Sequence, residues 1–173
     1  MELYLIRHGI AVERGIYDED RDRPLTDKGI ARTQQVAQRL QTLGLQFDWI
    51  LTSPFCRASQ TAQILIEAGL GETLETSELL EPDRPIEPWL NWLSAWPPAQ
   101  IQDCRLALVG HEPNWGDWAE QLIFGEIRGH LSIKKAGIVG LSLPPFELLS
   151  WPEVRSPLGT SQLFWLAPPR LLL

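Results

Sequence analysis

Four apolar residues with no turn-former among them, Leu3-Tyr4-Leu5-Ile6, run straight into Arg7-His8-Gly9. Such a run reads as a strand covered on both faces, and so as a central strand of a parallel sheet. Open α/β sheets bind ligands beyond the carboxyl ends of their strands. A cation, an imidazole and a glycine at that position are therefore candidate chemistry, although the tripeptide alone would also fit an exposed loop. The pattern of apolar strand, polar loop and helix occurs again in two places. Phe47 to Leu51 leads into Thr52-Ser53-Pro54 and a helix whose first turn holds Arg57, with Pro54 suited to a helix start. Arg105 to Gly110 leads into His111-Glu112-Pro113 and a helix over roughly 114–124. Parallel strands joined by right-handed crossovers deliver their carboxyl ends to one edge, so Arg7, His8, Arg57 and His111 are expected to meet there.

The other segments fit around this frame. Thr26 reads as an N-cap with Asp27 at the positive end of the helix dipole, and Ile30, Val36, Ala37, Leu40 and Leu43 mark a helix ending at Gly44. Residues 10 to 25 hold no period and are expected to form a loop over the strand end. Asp18, Asp20 and Asp22 in that loop invite a calcium reading, but the sixth and twelfth positions of such a loop would be Arg23 and Gly29 rather than Gly and Glu. Residues 72–80 are expected to hold a short strand. Pro88 opens a helix stopped by Pro97-Pro98, and its Trp89, Trp92 and Trp96 share a stripe that reads as core, with a partner-docking patch as the alternative. Gly137 to Leu143 and Ser161 to Leu166 read as an edge pair or hairpin, joined through Pro144, Pro145, Pro152 and Pro157. The expected fold class is α/β: a three-layer α/β/α sandwich with a mostly parallel central sheet, one domain over residues 1–173.

Composition narrows the function. The net charge of −7 argues against a general nucleic-acid or anionic-membrane binder, so an anion site must be locally basic. Cys56 and Cys104 are too few for a disulfide framework and lack zinc spacing, and read as buried free thiols. With no signal-peptide pattern and no membrane-length apolar run, the expected location is cytoplasmic. His130 has no motif around it and reads as a surface or loop histidine.

Two histidines invite a metal, but adjacent arginines would repel a dication and no carboxylate pair accompanies them. A phosphoryl group explains the mixture better: arginines match its oxygens with paired charge-assisted bonds, and a neutral His8 can attack phosphorus. Other phosphoryl chemistries lack their residues. Neither cysteine is followed by Arg six positions later, and no Walker, dinucleotide or Gly-x-Ser-x-Gly sequence occurs.

Four blocks carry a resemblance: Leu-Ile-Arg-His-Gly at 5–9, Arg-Pro-Leu-Thr-Asp-Lys-Gly at 23–29, Thr-Ser-Pro-Phe-Cys-Arg-Ala-Ser-Gln-Thr-Ala at 52–62 and Val-Gly-His-Glu-Pro at 109–113. Together, and in this order, they resemble the histidine phosphatase superfamily with its phosphoglycerate-mutase-like fold. The short chain and the 23–29 and 52–62 blocks are most similar to the small SixA-type phosphohistidine phosphatases. The resemblance implies a phosphorylated nucleophile at His8, a phosphate pocket of Arg7, Arg57 and His111, and a further phosphate-binding candidate in Arg23. It implies a two-step reaction without metal or organic cofactor, on a phosphohistidine-bearing protein of a signalling pathway.

Larger superfamily members that act on phosphate esters carry a carboxylic acid to protonate the leaving oxygen. Here only Glu78, Glu81 and Asp83 lie in a comparable region. Glu81 is the candidate acid, and a solvated loop is the other reading of all three. A phosphohistidine nitrogen leaves more readily than an alkoxide, so a missing acid favours that substrate. The alternatives are a small-molecule phosphomonoesterase with Glu81 as acid and a phosphoryl-binding module without turnover.

Overall fold

A computed structural model describes residues 1–97, 103–144 and 157–173. A six-stranded sheet organises the chain. Its strands are β1 (Glu2–Arg7), β2 (Trp49–Thr52), β3 (Leu74–Thr76), β4 (Arg105–Gly110), β5 (Ile138–Ser142) and β6 (Gln162–Ala167), in the order β3-β2-β4-β1-β5-β6. The pairs β2–β3, β2–β4 and β1–β4 are parallel, and β5 and β6 add antiparallel strands beyond β1.

Both faces of β1 are buried, as its unbroken apolar run requires. Tyr4 and Ile6 enter one core with Ala107 and Val109 of β4, whereas Leu3 and Leu5 enter the other with Leu106 and Leu108. This period-two split puts a hydrophobic layer on each side of the sheet. The first layer is covered by α1 (Asp27–Thr42) through Val36, Ala37 and Leu40, and by α2 (Cys56–Glu67) through Ala58, Ala62 and Leu65. The second is covered by α3 (Glu87–Ala95) through Trp89 and Leu93, and by α4 (Asn114–Phe124) through Trp115, Trp118 and Leu122. The result is the expected α/β/α sandwich with a mostly parallel sheet.

A local signal explains where α1 starts. The Thr26 hydroxyl accepts from the Gly29 N–H at 3.0 Å, so the first turn of α1 is capped from within the chain. Gly29 has a second reason to be glycine: a Cβ there would lie 2.0 Å from the Ile10 carbonyl oxygen, where the loop after β1 crosses the helix. An isolated bridge between Ala11 and Leu25 closes that loop into a compact flap holding a short 3-10 turn, Asp20–Asp22.

Two details differ from the sequence reading and two agree with it. The stretch 72–80 holds the expected short strand, Leu74–Thr76, after which the chain turns as 3-10 helix over Glu78–Leu80 and sinks Leu80 into the core. The tryptophan stripe divides: Trp89 is fully buried, while Trp92 and Trp96 are half-buried and stack on each other with centroids 5.1 Å apart. Cys104 is buried but Cys56 only half-buried, since it opens α2 at the sheet edge. The strands at 138–142 and 162–167 pair antiparallel as expected, with β6 at the rim; Pro145 and Pro152 of the expected connection lie outside the described residues. Among the described residues no helix is long and apolar enough to cross a membrane.

Candidate active site

The parallel register sets the site. Arg7 pairs with Gly110 and Thr52 with Val109, so β1, β2 and β4 end side by side. The His8 N–H donates to the Gly110 carbonyl at 2.9 Å and the Ser53 N–H to the Val109 carbonyl at 3.0 Å. Residues that leave these strands therefore begin from a common rigid edge. Gly110 is where the chain can afford no side chain, because a Cβ would meet the Trp115 ring at 2.5 Å. That ring donates its Nε1–H to the Ile6 carbonyl at 2.9 Å, tying α4 to the end of β1.

His8 is 6% exposed, with Nδ1 2.7 Å from the carbonyl oxygen of Gly9. A carbonyl can only accept, so Nδ1 carries the proton and Nε2 keeps its lone pair. Arg57 Nε–H donates to that lone pair at 3.3 Å. Burial, reinforced by His111, Arg57 and Arg7, pushes the His8 pKa down to about 2, so the imidazole is neutral. His111 lies 5.2 Å from His8 between ring centroids, with Phe55 edge-on at 5.1 Å. Its Nε2 is 2.9 Å from the Ser53 hydroxyl, and its buried Nδ1 has no partner among the described residues. Burial, with Arg57 and Arg7 adding to it against Asp20, lowers its pKa to about 3.

Arg57 enters from the first turn of α2 and is 3% exposed. Its Nη1 donates to the Asp20 carbonyl at 2.7 Å and its Nη2 to Asp20 Oδ2 at 2.9 Å, while the Phe55 ring packs under it at 4.9 Å. Asp20 Oδ1 also accepts from Arg23 Nε at 2.8 Å. Burial alone would raise the Asp20 pKa, but Arg23 and Arg57 hold it below the ordinary carboxylate value. One carboxylate from the flap thus fixes two arginines and leaves Arg57 Nε directed at His8. Arg7 donates through Nη1 to the Ile133 carbonyl at 2.7 Å, and its buried Nε is unpartnered among the described residues.

These groups line a cleft of about 330 Å³ that brings together Arg7, His8, Arg23, Arg57 and His111. Every cation and imidazole singled out from the sequence as a pocket residue is present. Glu81 is not among the lining residues. Its carboxylate pairs with Arg84 at 2.7 Å, and Asp83 reaches the cleft instead. The reason is the turn: Asp83 adopts φ 61° and donates its N–H to Asn114 Oδ1 at 2.9 Å, which folds the segment back over α4. Glu78 and His130 are exposed, as expected of loop residues.

Sequence reasoning missed Asp20, Lys135 and Glu112, the last two of which also line the cleft. The alternation of Asp20 with Asp18 and Asp22 suggests a cation ligand or a phosphorylated aspartate and disguises a partner for arginines. Glu112 follows His111 directly, and its carboxylate accepts from the Ile133 N–H. Burial raises its pKa, against hydrogen bonds from Ile133 and Gly116 and the charge of Arg7. Among the described residues no three His, Cys, Asp or Glu side chains are grouped so that they could hold a metal ion.

Comparison with known proteins agrees with this geometry. A family model described as the histidine phosphatase superfamily (branch 1) matches residues 3–83, the stretch that holds Arg7, His8, Arg23 and Arg57. An uncharacterized protein of Picosynechococcus sp. is 47% identical over 173 residues, covering 100% of this chain and 99% of its own. A probable phosphoglycerate mutase of Enterobacter sp. is 41% identical over 71 residues, 39% of this chain and 32% of that protein. Among solved structures, the protein histidine phosphatase SixA complexed with tungstate superposes with a TM-score of 0.81 at 22% identity over 100% of both chains. A putative phosphohistidine phosphatase SixA from Agrobacterium tumefaciens gives 0.73 at 22% identity over 97% of both. With its neutral His8 among three arginines at the end of β1, and with the SixA-like fold around it, the chain belongs to the histidine phosphatase superfamily.

Proposed function

We propose that the chain is a phosphohistidine phosphatase acting through a covalent phospho-His8 intermediate. The observation that carries the phosphoryl site is a pair of unsatisfied groups: Arg7 Nε and His111 Nδ1 are both buried, both belong to residues lining the cleft, and neither has a partner among the described residues. Buried polar atoms are seldom left so. An oxyanion in the cleft satisfies them both, with Ser53 donating its hydroxyl proton to His111 Nε2 so that Nδ1–H faces the anion.

In the first step the Arg57 Nε–H hydrogen bond passes from His8 Nε2 to a phosphoryl oxygen. The freed Nε2 lone pair forms a bond to phosphorus as the bond from phosphorus to the substrate nitrogen breaks. The departing imidazole takes that electron pair. A proton on its other ring nitrogen lets it leave neutral, so no enzyme acid is required. His8 then bears a positive ring, which the Gly9 carbonyl stabilises through Nδ1–H. In the second step water attacks phosphorus, phosphate leaves with the oxygen, a proton passes to solvent, and neutral His8 returns. Arg7, Arg57 and His111 donate to the phosphoryl oxygens throughout. Preorganised donors of this kind contribute roughly 3 to 4 kcal/mol each in other enzymes.

The substrate assignment rests on the departure of Glu81 to Arg84 and on the match over both full chains to a protein histidine phosphatase. A phosphohistidine-bearing protein in a signalling pathway, cytoplasmic location and independence of metal belong to the same reading. Purified protein assayed on a phosphohistidine-bearing phosphotransfer domain and on sugar and glycerate phosphates, with His8→Ala as control, tests it. Turnover confined to the phosphohistidine domain and lost in His8→Ala is expected. Faster turnover of an ester overturns the substrate assignment and directs attention to Asp83 and Glu112. Unchanged turnover in His8→Ala overturns the covalent mechanism.

A further inference from the structure

A second cleft, about 570 Å³, adjoins the first and shares Lys135 with it. Its apolar lining includes Ile10, two residues beyond His8, Ile133, and the exposed Leu166 of β6. Four cations line it too: Arg32 from α1, Lys134 and Lys135 from the segment before β5, and Arg170 after β6. No acidic residue lines the cleft, and none of the four cations forms an ion pair among the described residues. On a chain of net charge −7 this is a local reversal of sign.

We propose that this cleft docks an acidic, partly apolar segment of the phosphohistidine-bearing protein while the phosphoryl group enters the His8 cleft. The inference rests on the reading of the first cleft as a phosphohistidine site. Charge complementarity selects the occupant: the rest of this acidic chain repels an acidic partner, and the four cations attract it to the one side where Lys135 leads to His8. The apolar lining residues add burial for the uncharged part of the segment.

The double variant Lys134→Glu/Arg170→Glu tests the proposal, since both side chains are exposed and neither lines the His8 cleft. Its probes are a phosphohistidine-bearing phosphotransfer domain and free phosphohistidine. The variant is expected to lose about tenfold or more in kcat/KM on the domain, carried by KM and with a flatter salt dependence, and to keep the wild-type rate on free phosphohistidine. An unchanged kcat/KM on the domain, an equal loss on both probes, or a wild type that does not prefer the domain overturns docking at this cleft. Silence of the wild type on both probes instead refutes the phosphohistidine reading itself, and the docking site with it.

Discussion

Two neutral, buried histidines should make this protein acid-sensitive in a way that a single substitution halves. His8 and His111 have folded pKa values of about 2 and about 3, against an ordinary value of roughly 6.5 in the unfolded chain. For a depressed histidine the unfolded state binds the proton first, so stability is full above about pH 6.5 and falls with pH down to the folded pKa. At about pH 5 the unfolded chain is favoured by about 2 kcal/mol for each such histidine relative to about pH 7.5, by the linkage relation. That figure depends only on the folded values lying well below 5, and it gives about 4 kcal/mol for the pair. His8→Asn removes one of the two titrations while a side-chain amide can still reach the Gly9 carbonyl. Urea unfolding of wild type and His8→Asn at both pH values isolates the effect, because carboxylate titrations common to both proteins cancel in the difference. The wild type is expected to lose about 2 kcal/mol more than the variant over that interval. Equal losses, within about 0.5 kcal/mol, would refute the argument that His8 is held neutral by its surroundings.

Two further outcomes follow from the packing. Asp20→Ala frees Arg57 and Arg23 from their shared carboxylate, so the phosphatase rate is expected to fall about tenfold or more with little change in thermal stability, because the Asp20 side chain is 39% exposed; a wild-type rate would show that Arg57 needs no holding. Glu120→Gln acts on the other side of the site. The buried Glu120 carboxylate accepts from the backbone N–H groups of Arg128, Gly129, His130 and Leu131, and so secures the segment whose Ile133 carbonyl holds Arg7. An amide has one acceptor oxygen instead of two, so a loss of about 2 to 4 kcal/mol is expected by thermal or urea unfolding, and an unchanged midpoint at neutral pH would contradict the clamp.

Much of the catalytic edge was legible in local patterns. Unbroken apolar runs at 3–6 and 106–109 read as strands buried on both faces, and the cores on either side of Leu3, Tyr4, Leu5 and Ile6 bear this out. Once those strands are parallel, the residues that leave their ends share one edge, so Arg7, His8 and His111 were predictable neighbours from chain order alone. Arg57 joined them because α2 begins just past the end of β2 and holds Arg57 in its first turn.

What remained hidden depends on contacts between segments whose local sequence has no period. Asp20 meets Arg57 across 37 positions and Ile133 meets Arg7 across 126, and no spacing rule reaches that far. The flap had to fold against α2 before an acidic loop residue became the anchor of an arginine. Glu81 and Asp83 are chemically interchangeable in the chain, and only the reversed φ of Asp83 and its bond to Asn114 turned one to Arg84 and the other to the cleft. The protonation of the site belongs to the tertiary structure as well. Two histidines of ordinary basicity become neutral because burial removes the water that would stabilise their charge and sets arginines beside them. That Arg7, His8, Arg57 and His111 gather at one sheet edge was decided by the sequence; their charge, their aim and their unsatisfied hydrogen bonds were decided by packing, since those depend on neighbours that are distant along the chain.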